Sequence, residues 1–296
     1  MPTDLTARPS AEEPAAPLLL TLSCPDKIGI VAAVSRFLVD HNCNIVESAQ
    51  YGDHSKRRFF LRTGFESTGG ETLADLEAAF ASIASAYEME AQFFDMRRKT
   101  PTLLLVSRFG HCLNDLLFRS RTGALPIDIK GVVSNHDDFA ELVAANGLPF
   151  HHLPVTRDSK AAQEAAIEDL VAAHGVELIV LARYMQILSP EMCARHPGRI
   201  INIHHSFLPS FVGARPYHAA HARGVKLIGA TAHYVTQDLD EGPIIEQAVE
   251  RVTHNLSTND YVAVGRDVEA LVLARAVKWH AEHRVLLNGS RTVIFH

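Results

Sequence analysis

Three side chains within Arg199–Gln247 have the types that acyl chemistry needs. Asn202 and His204 fall at the C-terminal end of the β-branched run Ile200-Ile201-Asn202-Ile203, which has the character of a buried strand. Asp240 falls in the acidic loop Thr236–Pro243, after a second strand-like run, Ile228–Val235. Attack on an acyl or formyl carbon turns its carbonyl oxygen into an oxyanion, which a fixed amide donor such as Asn202 can hold. A proton must also move between nucleophile and leaving nitrogen, a transfer suited to an imidazole. A carboxylate beside the imidazole orients it, favours its charged form and can hold or deprotonate a water. Asp238 competes with Asp240 for that place, and His205 adjoins His204. In an α/β sheet, ligands collect beyond the C-terminal strand ends, where the amide and the imidazole lie.

The elements that position these groups begin after the charged break Met96-Arg97-Arg98-Lys99-Thr100-Pro101. Strand patterns at 102–107, 128–134, 151–155, 178–181 and 200–203 alternate with helix patterns at 111–121, 138–146, 160–174 and a short helix capped at Ser189-Pro190-Glu191. Ile228–Val235 and Ile244–Val252 add strands, a helix capped by Ser257 runs to about His283, and Thr292–Phe295 closes the chain. Repeated βα units predict a mostly parallel, Rossmann-like sheet with helices on both faces. The first βα turn, Ser107–His111, holds one glycine, so it is neither a GxGxxG fingerprint nor a Walker-type loop.

The first ninety-odd residues read differently. Strands at 18–23, 44–51, 57–65 and 88–95 enclose helices at 29–41 and 72–86, the βαββαβ order of a ferredoxin-like sheet with two helices on one face. Ile30, Val31, Val34, Phe37 and Leu38 form the apolar stripe of the first helix. The predicted layout is therefore a disordered tail over 1–17, a ferredoxin-like domain over 18–96, a linker over 97–101 and a catalytic domain over 102–296.

Composition narrows the function. A formal charge of −6 and pI near 6.3 give no global basic footprint for nucleic acid or an acidic membrane. The four cysteines, Cys24, Cys43, Cys112 and Cys193, form no CxxC pair and read as reduced, buried thiols of a cytoplasmic protein. No apolar run approaches the roughly 20 residues of a membrane span, and the Pro/Ala-rich start lacks the apolar core of a targeting peptide.

The segment Cys24-Pro25-Asp26-Lys27-Ile28-Gly29-Ile30-Val31, with Asn44-Ile45, resembles an ACT domain; Ile28 stands where that family usually has proline. The resemblance implies an amino-acid effector site at Asp26, Ile28, Gly29, Ile30 and Val31, with the free N–H groups of the helix start holding a carboxylate. It also implies a homo-oligomer, a dimer or tetramer, because ACT domains generally pair side by side.

The strings Asn202-Ile203-His204-x-Ser206-x-Leu208-Pro209, Ala232-His233-Tyr234-Val235-Thr236 and Leu239-Asp240-x-Gly242-Pro243 resemble the signature of folate-dependent formyltransferases. The match favours Asp240 over Asp238. It implies that Tyr184, Met185, Gln186, Ile187 and Leu188 form the pterin-binding loop and that His233 and Thr236 belong to the folate site. Where most transferases have proline after the histidine, this chain has His205. The ACT segment, His204-His205-Ser206-Phe207-Leu208-Pro209, Gly110-His111-Cys112-Leu113 and Leu125–Ile129 together resemble the formyltetrahydrofolate deformylase family. That resemblance implies water as formyl acceptor and hydrolysis of 10-formyltetrahydrofolate to formate and tetrahydrofolate, feeding one-carbon metabolism and purine biosynthesis. The folate is then the substrate, with neither cofactor nor metal. The first βα turn agrees, because it lacks a glycine-rich cradle for a phosphorylated amine. Two alternatives stand beside this reading: a formyltransferase with a small amine acceptor of the phosphoribosylglycinamide type, and an inactive folate-binding regulator. His218 and His221 have a spacing that can bind metal, but no carboxylate or cysteine follows at ligand distance, which favours surface histidines.

Overall fold

The computed structural model describes residues 17–156, 158–207 and 216–296, with no side-chain description for Pro216. The tail up to residue 16 and the motif residues Leu208 and Pro209 lie outside the described residues. The chain divides into two compact units, at Arg97/Arg98.

The first unit runs β1 (Pro17–Pro25), α1 (Ile30–Asp40), β2 (Cys43–Asp53), β3 (Arg58–Ser67), α2 (Leu73–Tyr87) and β4 (Glu90–Asp95). Its antiparallel sheet has the order β2-β3-β1-β4, so β2 and β4 are the edges. The predicted βαββαβ order is the observed one. The apolar stripe of α1 places Ile30, Val34, Phe37 and Leu38 in one core with Leu76 and Phe80 of α2 and Phe65 and Phe93 of the sheet. Edge-on ring pairs, Phe37–Phe80 at 4.9 Å and Phe80–Phe93 at 5.5 Å, knit the layers. Thr72 and Asp75 close the start of α2 as a capping box. β1 begins at Pro17, the last residue of the predicted tail.

The second unit opens with β5 (Thr100–Val106), α3 (His111–Arg121), β6 (Ile127–Ser134), α4 (Ala140–Ala145), β7 (Phe150–His152), α5 (Lys160–Ala173) and β8 (Leu178–Leu181). It continues with α6 (Pro190–Arg195), β9 (Ile200–His204), α7 (Pro216–Arg223), β10 (Leu227–Tyr234), β11 (Ile244–Arg251), α8 (Thr258–Ala281), β12 (Val285–Asn288) and β13 (Arg291–Ile294). Seven strands form one sheet in the order β11-β10-β9-β8-β5-β6-β7. Pairing is parallel from β9 through β7, and β10 runs antiparallel to both its neighbours.

Period-two alternation explains the two apolar layers. Leu104, Val106, Val180, Ile201 and Ile203 face α3 and α8, while Leu103, Leu105, Ile179, Leu181 and Ile200 face α5 and α6. β5 pairs with β6 on one side and β8 on the other, so the strand order reverses between β5 and β8. A crevice opens at the carboxyl ends of strands at such a switch point. β7 is shorter than predicted because Pro154 cannot donate to a ladder. The sequence pattern did not reveal β12, which forms a separate hairpin with β13 around Gly289-Ser290. Among the described residues no helix is long and apolar enough to cross a membrane.

Candidate active site

Asn202 and His233 are register partners on β9 and β10. His233 donates from Nδ1 to the carbonyl of Tyr234 at 2.9 Å, which leaves Nε2 with a lone pair in the neutral ring. Asn202 Nδ2 lies 3.2 Å from that Nε2 and 3.5 Å from Asp240 Oδ1. A flipped amide would set an oxygen against both a lone pair and a carboxylate, so the network fixes Nδ2 in place. The amide hydrogen facing Asp240 is held only at the long limit of a hydrogen bond, so an incoming oxygen can take it over.

Asp240 reaches the strand ends from the loop after β10. Its own backbone is left-handed, φ 57°. Two residues on, Gly242 lies so close to β10 that a Cβ would stand 1.7 Å from the Tyr234 carbonyl oxygen. Tyr234 N–H donates to the Pro243 carbonyl at 2.9 Å, which locks the loop back onto the strand. Only glycine permits that approach, so the Leu-Asp-x-Gly-Pro turn is what returns the carboxylate to the site. Asp240 Oδ2 accepts from His204 Nδ1 at 3.2 Å, and Oδ1 lies 3.6 Å from His233 Nε2. The hydrogen bond from His204, with the His233 imidazole close by, holds the carboxyl well below the usual carboxylate range, against the opposing effect of burial. With Nδ1 engaged by Asp240, His204 has Nε2 as its other exchangeable position.

These groups wall one cavity of about 310 Å³. The segment 183–188 forms its other side, so Tyr184, Met185, Gln186, Ile187, Leu188, Asn202, His204, His233, Thr236 and Asp240 all line the same space. Within the loop the side chains divide: Met185 and Ile187 are exposed, whereas Tyr184 and Leu188 are buried in the core behind it. Thr236 Oγ1 donates to the carbonyl of Asp238 at 3.2 Å and so braces the acidic loop. Asp238 lines the cavity but is not in the His204 pair. His205 stacks on His204 with ring centroids 5.0 Å apart. On α7, His218 is exposed and His221 bonds the Leu256 carbonyl at 3.2 Å. All four cysteines are buried and unpaired.

In the first unit, Gly29 is the N-cap of α1, with φ 97° and no side-chain cap on the helix. Ile28 is fully exposed and Val31 half-exposed, while the Ile30 side chain is buried in the core, so only its backbone faces the helix start. Asp26 N–H donates to the Arg57 carbonyl at 2.9 Å, and Lys27 pairs with Glu88 at 2.6 Å.

The profile of the Formyl transferase family matches residues 101–277, and that of the ACT domain matches 19–81. A formyltetrahydrofolate deformylase of Corynebacterium sp. strain P-1 is 52% identical over 277 residues, covering 93% of this chain and 97% of the relative. The Bacillus subtilis deformylase is 49% identical, with 93% of each chain covered. The chain belongs to the formyltetrahydrofolate deformylase family. The crystal structure of the deformylase from Burkholderia mallei superposes with a TM-score of 0.92 at 54% identity, covering 95% of this chain and all of that one. A phosphoribosylglycinamide formyltransferase from Coxiella burnetii, by contrast, covers 66% of this chain and 93% of its own length, with a TM-score of 0.61 at 28% identity.

Several side chains that sequence reasoning did not single out brace the cavity. Ser107, at the end of β5, accepts from Met185 N–H at 3.0 Å and donates to Asn135 at 2.7 Å. Gln163 and Glu164 of α5 hold the loop from behind. Tyr184 OH donates to Gln163 at 3.0 Å, and Glu164 accepts from Ser189 N–H at 2.8 Å. Burial, partly offset by the Gln163 bond, pushes the Tyr184 hydroxyl up to about 12, so it stays a donor at neutral pH. The signal for this pair is two adjacent polar residues, both buried, where a helix would normally show its solvated face.

Proposed function

We propose that this chain hydrolyses 10-formyltetrahydrofolate to formate and tetrahydrofolate. The observation that carries the reading is His204 held by Asp240 at 3.2 Å on the wall of the cavity closed by the 183–188 loop. The exposed Met185 and Ile187 offer an apolar face for the pterin, and Thr236 and His233 border it. Tyr184, Gln186 and Leu188 complete the folate wall.

In this scheme His204 Nε2 takes a proton from water as its oxygen attacks the formyl carbon, and Asp240 stabilises the imidazolium so formed. The carbonyl oxygen becomes an oxyanion and accepts a hydrogen bond from the second N–H of Asn202. Collapse breaks the C–N10 bond, and His204 returns its proton to N10, releasing tetrahydrofolate. Formic acid then loses a proton to solvent. Atoms and charge balance with water as the only co-reactant, so the folate serves as substrate rather than cofactor. The formate would supply one-carbon metabolism, purine biosynthesis included.

An amino-acid effector at Asp26–Val31 fits the uncapped start of α1, whose first N–H groups suit a carboxylate. Exposed Ile45, Val46 and Tyr51 on the edge strand β2 support side-by-side pairing of ACT units into a homo-oligomer. The decisive assay for the main reading is formate release from 10-formyltetrahydrofolate in amine-free buffer. Release at full rate supports hydrolysis, and tetrahydrofolate formed only when an amine is added, with the formyl group recovered as a formamide, supports transfer.

A further inference from the structure

The imidazole of His204 is fixed at one point, its Nδ1 bond to Asp240 at 3.2 Å. A single hydrogen bond leaves a ring free to swing about the donor–acceptor line, and that swing would carry Nε2 across the cavity. Proton transfer needs the group held within about 0.5 Å and 10–20° of its working geometry. The plane of the ring must therefore be set by something besides Asp240, and the neighbouring rings can set it. His204 ends β9, and successive residues of a strand point to opposite faces. His205 nevertheless stacks on His204, with planes 29° apart and centroids 5.0 Å apart, because the chain bends directly after the strand. The bend is held from β10: Thr231, the register partner of His204, donates from Oγ1 to the Ser206 carbonyl at 2.9 Å.

Beyond His205 stands the ring of Tyr217, on α7, with its centroid 6.5 Å away and its plane tilted by 58°. Tyr217 is itself held on α8. Its hydroxyl donates to Glu269 at 2.6 Å. Gly265, one turn earlier on the same helix face, makes room for the ring, since a Cβ there would stand 2.2 Å from it. The second oxygen of Glu269 meets His111 Nε2 at 2.8 Å, so the carboxylate is engaged at both oxygens. Burial and the Glu269 carboxylate push the Tyr217 hydroxyl well up, so it keeps its proton and remains a donor. Contacts thus run from a buried carboxylate on the longest helix through two rings to the proton-transfer group.

We propose that Tyr217, held by Glu269, is a positioning residue for the reaction and acts through His205, whose ring sets the plane of the His204 imidazole. The inference rests on the proton-transfer role that the hydrolytic reading gives to His204. Two supports then divide the work. Asp240 fixes where Nδ1 lies, and the His205–Tyr217 pair fixes how the ring turns about that point. His204 and His205 line the cavity, whereas Tyr217 and Glu269 are not part of its wall. A change at Tyr217 therefore reaches turnover through the stack and leaves the folate wall of residues 184–188 as it is. The role asked of His205 is that of a flat ring, which a residue of the same shape without an ionisable group can fill.

The test is a double-mutant cycle in the full-length protein: wild type, His205→Ala, Tyr217→Leu and the double variant, read as kcat and KM for 10-formyltetrahydrofolate. His205→Ala is expected to lose about 10² in kcat, the scale of a misplaced reacting group, with KM within about twofold. Tyr217→Leu is expected to lose about tenfold in kcat, again at nearly constant KM. In the double variant the Tyr217 change should cost less than about twofold more, because the ring it supports is already gone. His205→Phe, which restores a flat ring, should recover at least about tenfold of the His205→Ala loss. Additive losses, a loss carried by KM, a Tyr217→Leu as active as the wild type, or a His205→Phe no better than His205→Ala would overturn the proposal. If Tyr217→Leu does not fold, Tyr217→Phe is read instead, which keeps the ring and removes only the Glu269 bond. It should lose about threefold in kcat beside the native His205 and nothing in the His205→Ala background. An equal effect in both backgrounds, nil included, would also overturn it. A failure of the hydrolytic reading would appear separately, as a wild type that turns over only with an added amine, and the same cycle would then be read on the transfer rate.

Discussion

Asn202 and His233 face each other across the β9–β10 ladder with Nδ2 and Nε2 3.2 Å apart. The contact gives the two side chains different roles. The ring, pinned by the Tyr234 carbonyl, sets the angle of the amide, and the amide presents its second hydrogen to the cavity. Removing one such donor costs about 10²–10³ in rate. Asn202→Ala is therefore expected to lose that factor in kcat with little change in KM. His233→Ala, which only releases the amide, should lose up to about 10². Steady-state kinetics on both variants decide it, and a His233→Ala loss larger than that of Asn202→Ala would reverse the assignment.

Asp240 ties turnover to acid stability. Its folded carboxyl lies well below the ordinary range because His204 bonds it and the His233 imidazole lies beside it. A group of that kind stabilises the fold at every pH above its unfolded value, roughly 3.9, and the contribution disappears as pH falls through the folded value. Asp240→Asn should thus be less stable than the wild type at neutral pH. The gap should narrow below about pH 4. Denaturant melts at neutral and acid pH measure both points, and a gap that widens toward acid would contradict the assignment. The same variant should lose about 10²–10⁴ in kcat, as general acid–base partners do. Because the carboxylate stays ionised across the usual assay range, loss of activity in mild acid must come from another group.

Gly242 is the structural condition for that carboxylate. Gly242→Ala places a methyl carbon 1.7 Å from the Tyr234 oxygen unless the loop moves. Overpacking of this severity costs about 3 kcal/mol, and any relief carries Asp240 away from His204. The variant should lose both Tm and kcat. Full activity at lowered Tm would show that the loop can shift without the site.

Gln163 is expected to act on binding rather than on chemistry. It accepts from Tyr184 OH and donates to the Leu153 carbonyl at 2.6 Å, which anchors the 183–188 loop proposed as the folate wall. Gln163→Leu leaves buried partners unsatisfied at about 1–3 kcal/mol. The expected outcome is a lower Tm and a raised KM for the folate with kcat nearly unchanged, read from melting curves and kinetics. A kcat loss at constant KM would move Gln163 into the chemistry.

The sequence made some of this readable and concealed the rest for physical reasons. Asn202, His204 and Asp240 stood out because strand-end and turn residues sit in short, punctuated motifs whose spacing shows in one dimension. Tyr184–Leu188 were legible as a loop between β8 and the Ser189-Pro190 helix start. Gln163, Glu164 and Glu269 were not, because a polar residue on a helix reads as solvated until packing shows what covers it. Glu269 did leave a trace, lying on the buried stripe of α8 between Val268 and Val272. The missed strand β12 ends at Asn288 and turns through Gly289-Ser290, a hairpin signal with φ 66° at Gly289. Ser107, by contrast, gives no pattern of its own, and its role appears only when β5 and β8 come side by side.

Water, activated at the His204–Asp240 pair, is on this account the formyl acceptor. Turnover of 10-formyltetrahydrofolate in ¹⁸O-labelled water without any amine tests that claim most directly, with the formate analysed by mass spectrometry. Hydrolysis at this pair predicts one solvent-derived oxygen in each formate released, and a loss of labelled product in Asn202→Ala and Asp240→Asn that parallels their kcat. Formate that carries no solvent oxygen, or no formate at all with the formyl group recovered on an added amine as a formamide, would contradict it.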